Sequence, residues 1–160
     1  MEETANLSTG ALALIGGALA ALGIAAIFIG IVWYILQVIA NWKIFNKAGK
    51  PGWLSIIPVV NTWNLYDLSW SRTAAWVIVI LTCAAGFLNQ QPAEGQDPST
   101  FAATLGSIVA IVIFVMTLIH LYKLAKAFGR GVGFFIGLVL LNPIFMLILG
   151  FGSDTYQGRQ

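Results

Sequence analysis

The sequence predicts an all-α membrane protein: a four-transmembrane-helix bundle with a Pro-broken re-entrant or interfacial helix between spans 1 and 2. Three observations carry this. Of 160 residues, 59% are hydrophobic and 9% charged, with mean hydropathy +0.87, whereas soluble domains carry roughly a quarter charged residues. Ala11–Ala40, Thr73–Leu88, Phe101–Ile119 and Gly131–Gly152 hold no formally charged side chain, and a helix needs about 20 apolar residues to cross the hydrocarbon. Finally, seven of the eight Lys and Arg residues fall in two connections.

Span 1 is expected over 11–40, within a single membrane domain covering 1–160. Glu2 and Glu3 open the chain and no basic residue precedes Lys43, so a cleaved signal peptide is not expected. Gly16, Gly23 and Gly30 recur every seven residues. In lipid, such small-residue rows let helix backbones approach closely, which predicts packing inside the bundle or contact within a homo-oligomer.

Lys43, Lys47 and Lys50 then run along one helix face into a Gly-Lys-Pro-Gly turn. The segment 53–68 is too short to cross, and Pro58 interrupts its hydrogen-bond ladder. A crossing there would also move Lys123, Lys126 and Arg130 to the opposite face. The segment therefore reads as a helix lying at the surface or dipping inward, with Trp53, Trp63, Tyr66 and Trp70 at headgroup level. Asn61, Asn64 and Asp67 form one polar stripe at three-residue spacing. The stripe either faces water or, with Asn142, lines a cavity, and Asp67 is expected to pair with Lys43, Lys47 or Arg72.

Span 2 is expected over 70–88, reaching full length only if Arg72 snorkels. The following connection, NQQPAEGQDPST, holds Glu94 and Asp97 and no basic residue. Span 3 is expected over 101–122. His120 falls roughly 28 Å down that helix from Phe101, at the inner interface, and reads as solvated or lipid-facing. Span 4 is expected over 131–151, with Gly133 and Gly137 as packing positions and a kink at Asn142-Pro143. Basic connections stay cytoplasmic, so this count gives a multi-pass inner or plasma membrane protein with both termini outside.

A weak internal echo joins two parts of the chain. Trp42-Lys43-Ile44, Gly49-Lys50, Gly52-Trp53 and Asn61 correspond to Tyr122-Lys123-Leu124, Gly129-Arg130, Gly133-Phe134 and Asn142. Over the same residues, KIFNKAGKPGW, IPVVN, LAKAFGRGVGF and ILGFG resemble a family of small polytopic prokaryotic membrane proteins of unknown function. The resemblance covers about 42–151 and implies the order of spans. Because a similar domain sometimes precedes signal peptidase I, it also implies a membrane module attached to secretion machinery. No peptidase domain is expected here, since the sequence ends at Gln160.

Chemistry is sparse. A Ser-Lys peptidase needs its lysine on the outer side, and every lysine is predicted inside. His120 is the only histidine and Cys83 the only cysteine, so neither a metal centre nor a disulfide is expected. No cofactor, nucleic acid or catalytic role is predicted. The expected partners are the bilayer and a second membrane protein or copy. The leading expectation is a non-enzymatic accessory or scaffold subunit. One alternative is a channel or carrier using Asn61, Asn64, Asp67 and Asn142. Another is an anionic-lipid binder using Lys43, Lys47, Lys50, Lys123, Lys126 and Arg130, each cation contributing about 1 kcal/mol near an acidic surface.

Overall fold

The computed structural model describes residues 2–88 and 100–159. Among them are six α-helices, one 3-10 turn and no strand. Helix α1 spans Glu2–Lys47, and the 3-10 turn Gly52–Ser55 follows. Then come α2 (Pro58–Ser69), α3 (Arg72–Leu88), α4 (Thr100–Ala127), α5 (Val132–Leu140) and α6 (Asn142–Phe151). Glu94 and Asp97 lie outside the described residues. Two helical stretches, Leu14–Lys47 and Ala103–Ala127, are long and apolar enough to cross a membrane.

The chain divides into two units, residues 1–37 and residues 38–160. In the first, every side chain from 14 to 35 is exposed. A methyl added at Gly16, Gly23 or Gly30 would meet nothing within 4 Å. A helix apolar on all sides is one that lipid or another helix surrounds.

In the second unit, α1 and α4 end in matching glycine elbows. The Lys50 N–H donates to Phe45 O at 2.8 Å around Gly49, whose φ is +71°. The Arg130 N–H donates to Ala125 O at 2.9 Å around Gly129, whose φ is +70°. This is the left-handed closure that satisfies terminal carbonyls, and a Cβ at either glycine would be strained. The two elbows fall on the internal echo.

After each elbow the chain enters the unit and comes back. Pro58 sits in the first turn of α2, where its missing N–H costs no helix bond. Pro58 and Val59 lie beside Thr82 and Cys83 of α3, while Asn64 and Asp67, later on α2, reach Lys50. Helix α2 thus starts far from the Lys50 elbow and returns toward it. It packs antiparallel on α3 through Trp63 against Trp76, 5.8 Å apart edge to face, and through Tyr66 among Ala74, Ala75 and Ile78. The expected Pro-broken segment is present as the 3-10 turn followed by α2.

Residues 131–151, expected as one span kinked at Asn142-Pro143, are instead two helices that reverse on each other. Helix α5 stops at Leu141, whose φ of −132° and ψ of 49° leave the helical region. The rings of Phe134 and Phe145 meet at 5.1 Å, and a methyl at Gly137 would run into the Phe145 ring. Arg130, before the pair, holds Asp154, after it, with two bonds of 2.9 and 3.0 Å. One continuous helix of this length would hold its ends about 30 Å apart. The reason is local. Continuing α5 would drive the Pro143 ring into the carbonyl four residues back, whereas a new helix accepts proline in its first turn, and Gly137 leaves room for the returning Phe145.

This reversal moves the tail. The Gln157 N–H donates to Ala127 O at 2.7 Å, and Arg159 reaches Asp67 at 2.6 Å. The tail therefore lies at the same end of the unit as both basic turns. All eight Lys and Arg residues gather at that end of the unit. Its core is there too: Ile44, Phe45, Leu68, Leu124, Leu138 and Leu149 are buried together. Gly150 allows α6 to approach α1, since a Cβ there would lie 2.7 Å from Ala40 O.

Candidate functional site

The basic end is organised around Asp67, in the last turn of α2 and 3% exposed. Lys50 Nζ donates to its Oδ2 at 2.6 Å, and Arg159 donates to its Oδ1 at 2.6 Å. Arg72 stands 4.0 Å from Oδ1. Lys50 also donates to Asn64 Oδ1 at 2.9 Å, while the Asn64 amide donates to Val60 O. The spacing of Asn64 and Asp67 places both on one helix face, so one lysine reaches both. Charge-assisted bonds of this length are the strong ones. The Lys50 side chain is 21% exposed, Arg159 47% and Arg72 72%, so solvent screens the three pairings in increasing degree.

Two further contacts close the end. The Tyr156 hydroxyl donates to Leu68 O at 2.6 Å. Burial pushes that phenol above its ordinary value, against the opposing pull of Arg159 and with added help from Asp67. Lys47 Nζ donates to Leu149 O at 2.6 Å and Gly152 O at 2.8 Å. These carbonyls end α6, where no in-helix donor remains, and a cation there also meets the negative end of the helix dipole.

The six basic residues expected at acidic lipid thus divide. Lys47, Lys50 and Arg130 make internal polar bonds. Lys43, Lys123 and Lys126 lie over the rings of Phe151, Trp70 and Tyr122 at 4.3, 5.9 and 5.8 Å. The expected pairing of Asp67 is met at Arg72 at the outer limit of an ion pair, while Lys50 and Arg159 are the close partners. Lys47 is engaged on α6 instead. Nothing in the chain between Asp67 and Arg159 signals their meeting. The sole hint was that Arg159 is the one basic residue outside the two basic connections.

The four expected pathway residues do not line one space. Asn64 and Asp67 belong to the charged cluster, and the buried Asn61 Oδ1 has no hydrogen-bond partner. Asn142 lines a cavity of about 330 Å³ among α2, α3, α4 and α6, together with Thr62, Tyr66 and His120. Of the expected packing glycines in the hairpin, Gly137 meets Phe145 and Gly133 meets nothing within 4 Å. His120 corrects the sequence reading. It is 5% exposed, bonded through Nδ1 to Ser69 Oγ at 2.7 Å and stacked on Tyr66 at 4.1 Å. The return of α2 covers it, which a reading of α4 alone does not reveal.

The model of a family of unknown function, DUF5684, matches residues 53–159. That range begins after the first basic turn and includes the tail carrying Asp154 and Tyr156. No curated protein matches, and no solved structure matches. With two thirds of its length matched, the doubled-back helices and most of the Asp67 cluster included, the chain belongs to DUF5684, a family of unknown function.

Proposed function

We propose that this chain is a non-enzymatic integral membrane module, an accessory or assembly subunit that presents its first span to a partner helix from a rigid cytoplasmic base. Three crossings fit: α1, α3 and α4, with 51–69 and 131–151 as segments that dip in from the cytoplasmic face and return. The N-terminus is then outside and the C-terminus inside. This topology places all eight basic residues in the cytoplasm, one more than the four-span count did, as the distribution of Lys and Arg across membranes favours.

The observation that carries the assembly reading is the exposed helix over residues 14–35, with open space at Gly16, Gly23 and Gly30. Small residues spaced along a span are where a second helix approaches closely in lipid. Photocrosslinking from Leu22 and Gly23 in native membranes tests this. The expected result is a discrete protein adduct, another membrane protein or a second copy; adducts with lipid alone would overturn it. A lipid-binding role has weaker support, because Lys47, Lys50 and Arg130 hold internal hydrogen bonds and Lys43, Lys123 and Lys126 lie over aromatic rings. A channel through Asn61, Asn64, Asp67 and Asn142 has less, because they separate into different surroundings.

A further inference from the structure

Apart from its assembly role, we infer that the cavity among α2, α3, α4 and the start of α6 is a binding site for a small uncharged apolar molecule bearing a hydroxyl donor, of the size and character of an alkylphenol.

The argument starts from hydrogen atoms. The Ser69 hydroxyl donates its one hydrogen to Leu65 O at 2.8 Å. We therefore assign its 2.7 Å bond to His120 the other direction, with Nδ1–H donating to Ser69 Oγ. In a neutral imidazole this assignment leaves Nε2 a bare acceptor. The ring cannot turn to hide it, being bonded at Nδ1 and stacked on Tyr66 with 10° between planes.

The threonine and tyrosine hydroxyls that line the cavity are acceptors for the same reason. Thr62, Thr82 and Thr117 donate to the carbonyls of Pro58, Ile78 and Ile113 at 3.1, 2.8 and 2.8 Å. Their hydroxyl hydrogens are thereby used, and the Tyr66 hydroxyl donates to Thr117 Oγ1 at 3.3 Å. Asn142, also in the lining, offers both donor and acceptor. The rest of the wall is Leu, Ile and Met, and none of the described residues lining it is charged.

An uncharged wall whose polar groups, Asn142 apart, are acceptors selects its ligand. An ion would lose hydration with no counter-charge to replace it. A purely apolar molecule would leave Nε2 unsatisfied, and a donor on an apolar body satisfies it. The volume of about 330 Å³ is at the small end of ligand sites, matching one substituted ring.

His120 is the only histidine, so the two imidazole 15N resonances of histidine-labelled full-length protein in lipid nanodiscs report this ring alone. The expected ligand-free spectrum has Nδ1 protonated and Nε2 bare. Adding 4-propylphenol shifts the Nε2 resonance saturably. 4-Propylanisole, which has a similar shape but no donor, binds at least about tenfold more weakly, the loss of one buried hydrogen bond. A spectrum with Nε2 protonated would overturn the inference. So would an Nε2 resonance unmoved by the phenol, as in a cavity holding only water, or equal non-saturating shifts from both compounds, as from partitioning into the bilayer.

Discussion

Glycine plays opposite parts in the two units. Gly23 stands among exposed side chains with nothing within 4 Å of an added methyl, whereas Gly150 holds the backbone of α6 against Ala40, where an added Cβ would lie 2.7 Å from a carbonyl oxygen. The residue type is the same and both sit in apolar helices. What separates them is whether a partner backbone is present in the chain. Charge divides the units in the same way: residues 14–35 carry none, while the second unit ties distant segments together through Lys47, Lys50, Asp67, Arg130 and Arg159. The second unit closes on itself through these pairings, while in the first every side chain from 14 to 35 is exposed.

Four substitutions sharpen or break this comparison, read as the midpoint of thermal unfolding in mild detergent followed by tryptophan fluorescence. Asp67→Leu has the largest expected effect. It removes the one carboxylate facing Lys50, Arg72 and Arg159 and destabilises the second unit by about 2–3 kcal/mol, below the fully buried case because the cations are partly solvated. Gly150→Ala forces backbone apart at Ala40 and is expected to cost about 2 kcal/mol. Lys47→Met leaves the final carbonyls of α6 without their cation, at about 1 kcal/mol. Gly23→Ala is expected to change the isolated chain by less than about 1 kcal/mol, in the stabilising direction, since alanine favours helix. Were Gly23→Ala to cost as much as Gly150→Ala, residues 14–35 would be packed internally and the contrast would disappear.

The sequence announced the elements whose causes are local. The elbows at Gly49 and Gly129 were readable because a glycine between a basic helix end and a restarting apolar segment has few other uses. Pro58 was readable as a break because proline acts within its own turn. The reversal at Leu141 was not. Asn142-Pro143 in the middle of 21 uncharged residues is compatible with a kink or a full turn, and only the fit of Phe145 over Gly137 and the pairing of Arg130 with Asp154 select the turn. The burial of His120 and the docking of Arg159 escaped for a related reason: each depends on a partner supplied by another segment, 51 and 92 residues away.

The reversal at Leu141 brings the tail to the end of the unit that holds both basic turns, and the membrane side proposed for it can be measured directly. With Cys83→Ser as background, Glu94→Cys and Thr155→Cys are each treated with a membrane-impermeant maleimide in right-side-out membranes. The account predicts labelling at position 94 in sealed membranes and at position 155 only after permeabilisation. Labelling at 155 in sealed membranes alongside 94 would make residues 131–151 a crossing and contradict it.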